Sequence, residues 1–211
     1  SVLYELLPAI KDEFLSNTIS ITENMTKRGG GIIDIDLIDH SDEIPFYYQF
    51  FVTFNTCDSM GANFINSILE AFGHTLQDFF RRQEHLDDGD RNVEIIMCIL
   101  SNYTPECRVK VWVECPVSEL DKVDEFLDGE QFAHKFKKTV DIAHIDPYRA
   151  ATHNKGIYNG IDAVVIATGN DFRATEAAGH SYASRDGRYK SLSYVEINEG
   201  IFRFTLEVPL A

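Results

Sequence analysis

CDSMGANFINSILEAFGHTLQDFF, residues 57–80, decides the fold of the first half of the chain. Its apolar residues fall at Met60, Phe64, Ile65, Ile68, Leu69, Phe72, Leu76 and Phe79, the spacing of one long helix with a single apolar face. Such a face needs a partner layer, and strand patterns flank it on both sides. Ahead of it, KRGGGIIDIDLIDH (27–40) alternates Ile33, Ile35 and Leu37 with acids as a half-buried strand, and FYYQFFVTF (46–54) reads as its antiparallel mate. Behind it, after the polar QEHLDDGDRN (83–92), VEIIMCIL (93–100) reads as a third strand. At the front, VLYELLPAIKDEFLSN (2–17) sets Leu3, Leu6, Leu7, Ile10 and Phe14 on one helical stripe. Pro8 is expected to break or bend that helix, and Ser16 with Asn17 to end it before a polar connection. Gly29 to Gly31 do not fit GxGxxG and precede no helix, so they predict a tight turn or a close backbone approach. Asp58 is the expected N-cap of the long helix, whose unpaired first-turn N–H groups attract phosphate, and Gly61 would let a ligand approach there.

The second half begins with RVKVWVECP (108–116) as a strand, followed by helical sequence over 117–145 interrupted at Gly129. Ser118 with Asp121 makes an N-terminal capping signal, and Trp112 and Phe126 are assigned to the core. The stretch 149–177, RAATHNKGIYNGIDAVVIATGNDFRATEA, sets a lysine, an arginine, amides and an aspartate among small and β-branched residues. Residues 157–184 carry apolar side chains on nearly every face, so their helix is expected to be buried in a domain or against a second subunit. An unpaired buried ammonium is strongly unfavourable, so Lys155 must reach water or face a carboxylate; Asp171 is the candidate partner. Helical rise would place their backbones roughly 20 Å apart. A fold-back at Gly160 or Gly169, or a second subunit, is therefore required for the pairing.

Composition bounds the function. With 211 residues, 44% of them hydrophobic, the chain can bury one large or two small cores. Its formal charge of −15 argues against nucleic acid as a partner. No run approaches a membrane span and no signal pattern opens the chain. Binding a polyanion would require local basic patches, with candidates at Lys27 and Arg28, at Arg81 and Arg82, and at Lys135, Lys137 and Lys138. For each, a solvated helix end or loop is the competing reading. The cysteines at 57, 98, 107 and 115 form no CxxC pair, and Cys57 and Cys98 read as reduced, small hydrophobes, which suits a reducing cytoplasm. The seven histidines form no HxxxH or HExxH arrangement, so no metal site is expected.

HNKGIYNG (153–160), ATGNDFRA (167–174), GHSYASRDGRYKSL (179–192) and CDSMGAN (57–63) together resemble the core of class II 3-hydroxy-3-methylglutaryl-CoA (HMG-CoA) reductases. Ser59 stands where that family's DAMGAN motif usually has alanine. The resemblance implies an α+β fold: a small ferredoxin-like cofactor domain over 1–101 and part of a mainly helical large domain with a buried central helix over 102–211. It implies reduction of HMG-CoA to mevalonate and free coenzyme A, or the reverse, with NADH or NADPH as cofactor. Side chains cannot supply a hydride, so a cofactor is required. By the same resemblance, Lys155 would stabilise the oxyanion of the thioester and the hemithioacetal, and Asp171 would hold that lysine charged and aimed. Arg149 would clamp the substrate's free carboxylate, and Asn159 and Asn102 would hydrogen-bond substrate oxygens. Asp58, Met60, Gly61 and Asn63 would hold the dinucleotide, and a homodimer or higher oligomer would carry its site at the interface. His153 is expected to orient its surroundings rather than titrate in catalysis.

Family members carry a catalytic glutamate ahead of the small domain and a catalytic histidine in a C-terminal flap, and neither segment is matched here. The chain is accordingly expected to be an excised piece, inactive alone. Two other classes remain open: a non-catalytic nucleotide-binding module, and a structural helical dimer in which Lys155 and Asp171 are an interface salt bridge. Neither accounts for all of these motifs in one chain. Preference between NADH and NADPH is open too, since 22–28 offers Glu23 as well as Lys27 and Arg28.

Overall fold

The computed structural model describes residues 2–210. The chain is α+β and forms two compact units that divide between Leu100 and Ser101.

In the first unit, α1 (Val2–Asn17) runs unbroken through Pro8. The expected break does not occur: proline removes one hydrogen bond near the N-terminal end, and burial of Ile10 and Phe14 holds the remaining turns together. The polar connection expected next is instead a second helix, α2 (Ile19–Lys27). Fully buried Thr18 makes the corner, its hydroxyl donating to Phe14 O at 2.8 Å. Strands β1 (Gly31–Asp39) and β2 (Tyr48–Asn55) pair antiparallel, as their alternation predicts. A bulge at Ile33 changes which side chains point inward. Ile32 pairs with Phe54 and Asp34 with Thr53, so Ile33 is the extra residue and is 65% exposed, while Ile32 and Ile35 face the core.

Helix α3 (Ala62–Arg81) lays Ile68, Phe72, Leu76, Phe79 and Phe80 against Ile35, Phe50, Val52 and α1. Phe14 and Phe72 stack with centroids 4.1 Å apart. Each of these side chains contributes about 1.5–3 kcal/mol of transfer free energy when fully buried, which fixes α3 as the unit's spine.

The expected third strand does not join this sheet, which has two strands. After a short helix, α4 (Asp88–Arg91), residues 93–100 run extended along α3. Asn66 Oδ1 accepts from Leu100 N at 3.0 Å, and Gln77 Nε2 donates to Val93 O at 3.4 Å. Gly73 permits this approach, because a Cβ there would lie 2.6 Å from Cys98 Sγ. The segment has strand composition but no ladder partner among the described residues.

The second unit is built on an antiparallel sheet, β3 (Arg108–Pro116), β5 (Ile201–Pro209) and β4 (Ser193–Asn198), in the order β3-β5-β4. Helix α5 (Gly129–Ile145) packs on β4, and α7 (Phe172–Ala183) on β5. Helix α6 (Pro147–Ala167) packs between α5 and α7. Ser118 and Asp121 do not cap a helix; residues 117–122 form a 3₁₀ turn, and the Asp121 carboxylate accepts from Gly129 N at the start of α5. Asp128 is the residue that caps α5, accepting from Gln131 N at 2.8 Å. The core assignments of Trp112 and Phe126 are also corrected, since these are 58% and 89% exposed. The edge strand β3 is exposed along almost its whole length, with Cys115 half-buried near the 3₁₀ turn, whereas β4 and β5 lie under helices.

Residues 157–184 form two helices rather than one. The chain breaks at Thr168–Asp171, with Gly169 at φ 73°, one of the two positions where a fold-back was expected. Gly160 lies inside α6 without interrupting it. Within the chain α6 is buried along one side, through Ala150, Asn154 and Tyr158, and Val164 and Ile166 face outward.

Candidate functional site

In the first unit the candidate residues cluster at the N-terminus of α3. Residues 55–61 form a turn held by its own hydrogen bonds: Asn55 Oδ1 accepts from Cys57 N at 2.9 Å, Thr56 Oγ1 donates to Ser59 O at 2.6 Å, and Ser59 Oγ donates to Thr56 O at 2.8 Å. Asp58 is not the N-cap. It lies exposed in the turn, and Gly61 occupies the cap position at φ 76° with no side-chain acceptor for the first-turn N–H groups. Gly61 is required by the turn itself, since a Cβ there would sit 2.4 Å from Thr56 Cγ2. Met60 and Asn63 are exposed beside it.

The triple glycine makes the close approach expected of it. A Cβ at Gly30 would lie 2.4 Å from Asn55 O and 2.8 Å from Cys57 Sγ, and Cys57 donates to Arg28 O at 3.4 Å. Cys57 is therefore an exposed turn residue rather than a buried hydrophobe. The contact also brings the end of α2 beside the turn. There Lys27 is neutralised by Glu23 at 2.6 Å, while Arg28 has no carboxylate partner among the described residues. Arg81, Arg82 and Lys137 pair with Asp78, Glu13 and Asp141, which bears out the solvated-surface reading at those positions. All four cysteines are free.

In the second unit the candidates lie on α6 and α7. Lys155 and Asn159 stand one turn apart on the outward face of α6, and Arg149 projects from its first turns. None of these three side chains, nor exposed Asn102, makes a hydrogen bond or ion pair among the described residues. The expected pairing of Lys155 with Asp171 is not formed within the chain. Lys155 takes the other route open to it and reaches water. Asp171 caps α7, accepting from Arg173 N at 3.0 Å and Ala174 N at 3.1 Å, with Arg173 Nε 3.8 Å away. The twelve-residue interval from Lys155 to the end of α6 is continuous helix, an axial rise of about 18 Å, which separates the two groups.

The inward face of the same helix is densely bonded. His153 Nε2 lies 2.7 Å from Ser193 Oγ, and His144 Nε2 lies 2.9 Å from Ser193 O. Asn154, fully buried, donates to Lys190 O at 2.9 Å and accepts from Leu192 N at 3.0 Å. Sequence reasoning passed over Asn154; the available signal was its i, i+4, i+8 register with Ala150 and Tyr158, which puts a polar residue on an inward stripe. In the last turns of α7, His180 Nδ1 contacts Tyr189 Oη at 2.7 Å, and Tyr182 Oη donates to Glu207 at 2.6 Å, holding that carboxyl below its usual range.

Burial, reinforced by His144, pushes His153 below the ordinary histidine value. A histidine whose folded pKa is depressed is protonated preferentially in the unfolded chain. Its effect is absent above the unfolded value of about 6.5, sets in as pH falls through it, and levels off below the folded value. The urea midpoint should therefore drop between about pH 8 and pH 5.5, and His153→Gln should flatten that slope. An unchanged slope in a folded variant would remove His153 from the account.

Residues 4–211 match the family model described as Hydroxymethylglutaryl-coenzyme A reductase. The 3-hydroxy-3-methylglutaryl-coenzyme A reductase of Archaeoglobus fulgidus is 34% identical over 208 residues, covering 95% of this chain and 42% of the relative. A probable 3-hydroxy-3-methylglutaryl-coenzyme A reductase of Borreliella burgdorferi is 33% identical over 187 residues, covering 89% of this chain and 40% of the relative. The class II 3-hydroxy-3-methylglutaryl-CoA reductase of Streptococcus pneumoniae, solved bound to NADPH in open conformations, superposes with a TM-score of 0.76 at 34% identity, covering 97% of this chain and 52% of that one. The chain thus spans about two fifths to one half of the proteins it matches. With the family match running through both units and through every motif of the candidate site, the chain belongs to the hydroxymethylglutaryl-coenzyme A reductase family.

Proposed function

We propose that this chain supplies the cofactor domain and part of the catalytic domain of an NAD(P)H-dependent reductase that converts HMG-CoA to mevalonate and coenzyme A. The observation that carries this reading is the family match over residues 4–211, which takes in a helix bearing Arg149, Lys155 and Asn159, none of them partnered among the described residues. Polar groups held on a helix and left free of protein partners suit a ligand that brings its own acceptors. Lys155 stabilises negative charge gathering on the thioester oxygen, Asn159 and Asn102 hydrogen-bond substrate oxygens, and Arg149 binds the distal carboxylate through its planar fork. Asp171 aims Lys155 from the neighbouring subunit of a homodimer, because the two do not meet within one chain. The exposed Val164 and Ile166 on α6 support such an interface.

The dinucleotide fits the N-terminus of α3, where the first-turn N–H groups have no side-chain acceptor and Asp58, Met60, Gly61 and Asn63 border the turn. When bound, it supplies hydride. The chain's residues hold it and set its orientation. Arg28, adjoining that turn without an acid partner among the described residues, favours the form carrying the extra phosphate. Arg28→Ala should raise the KM for NADPH about tenfold while leaving that for NADH nearly unchanged, the effect of losing one charge-assisted hydrogen bond. Equal effects on both cofactors would reject that role.

No described helix is long and apolar enough to cross a membrane. With four free thiols, this fits a cytoplasmic setting. The test is HMG-CoA-dependent oxidation of NADPH and of NADH by a polypeptide of the relatives' length carrying this sequence. Turnover is expected there and none from the 211 residues alone. Cofactor binding without turnover by the longer polypeptide would favour a non-catalytic nucleotide-binding module instead.

A further inference from the structure

We infer that Asn154 is a positioning residue for Lys155, an assignment that rests on the catalytic reading of Lys155 given above. Three consecutive residues of α6 have three different tasks. His153 contacts Ser193 Oγ, Asn154 spans the backbone of 190–192, and Lys155 projects outward. Successive helical residues differ by a fixed rotation and a rise of about 1.5 Å. Pinning 153 and 154 to the start of β4 therefore fixes both the azimuth and the height of 155.

The Asn154 carboxamide satisfies one donor and one acceptor of the same short backbone segment, and it is fully buried, so no water competes for either bond. The segment it grips is itself tied down. Ser191 N donates to Ala143 O at 3.1 Å, and Ser191 Oγ donates to Ser193 O at 3.0 Å. On its outward side the same turn of α6 is loosely bounded: a Cβ at Gly156 or Gly160 would meet nothing within 4 Å. The placement of Lys155 is thus set from the Asn154 side.

The experiment is a double-mutant cycle in the longer polypeptide. A displacement of the reactive group by about 1 Å costs up to about 100-fold in rate, so Asn154→Ala should lower kcat by about that factor while the KM for reduced nicotinamide holds. The Asn154→Ala/Lys155→Ala double variant should turn over no more slowly than Lys155→Ala alone, because Asn154 acts through that lysine. If the alanine variant does not fold, Asn154→Asp replaces it. That variant keeps the acceptor for Leu192 N but loses the donor to Lys190 O, and it should give an intermediate kcat with the same non-additivity. Additive losses, or full kcat in a folded Asn154 variant beside a crippled Lys155→Ala, overturn the positioning role alone. Full kcat in Lys155→Ala overturns the catalytic reading and this inference with it.

Discussion

On the proposed catalytic role of Lys155, Lys155→Ala made in a polypeptide of the relatives' length should lower HMG-CoA reduction by about 1,000-fold, or about 4 kcal/mol of transition-state stabilisation. The size follows from the role: a single preorganised cation facing the charge that develops on a carbonyl oxygen. Fold should be untouched, because the side chain is exposed, bonds nothing among the described residues, and alanine is the best helix former available to α6. Circular dichroism and cofactor affinity should match the parent while kcat collapses. A variant that keeps its turnover would remove Lys155 from the chemistry and leave only family membership standing. The loss should fall on kcat more than on KM, since the interaction is made chiefly in the transition state.

Gly179→Ala should destabilise the second unit by about 2–3 kcal/mol, against the usual expectation for a glycine inside a helix. Elsewhere in a helix that change gains about 1 kcal/mol. On α7, a Cβ at 179 would lie 1.6 Å from Tyr158 Oη and 2.9 Å from its Cζ. The ring has nowhere to go: Tyr158 is buried, its hydroxyl donates to Thr175 O at 3.3 Å, and burial holds that hydroxyl well above the usual tyrosine pKa. Either α6 and α7 separate or the tyrosine leaves its bond. Urea unfolding measures the difference directly. Adding Tyr158→Phe removes the closest atom and should recover part of the loss, whereas a midpoint that rises in Gly179→Ala would show that the helices part without cost.

What could be read from the sequence was what depends on local periodicity. The β1–β2 pair, the α3 face, the close approach at Gly30 and the fold-back at Gly169 all follow from alternation, helical spacing or glycine placement within a few residues. What escaped depends on neighbours distant in sequence. The bulge at Ile33 cannot be seen until β2 sets the register, and the strand-like composition of 93–100 says nothing about whether a ladder is there to receive it. The chemistry of Trp112 points to the core, whereas its exposure is set by what lies over β3. At the candidate site the residue types were legible from their motifs and the pairing was not: nothing local says that α6 continues unbroken past Gly160 and carries Lys155 away from Asp171. Asp58 misled because aspartate is a frequent cap, yet the positive φ of Gly61 starts the helix three residues later.

The uncovered margin of β3 bears on colloidal behaviour. A nine-residue strand with a free row of amides and carbonyls, and with Val111, Trp112 and Val113 facing solvent, is a template on which another copy could dock edge to edge. The net charge of −15 opposes that by mutual repulsion between copies. Physiological salt shortens the reach of such repulsion to about 8 Å. The acidity of this chain therefore protects it from itself in dilute buffer, and that protection weakens as ionic strength rises.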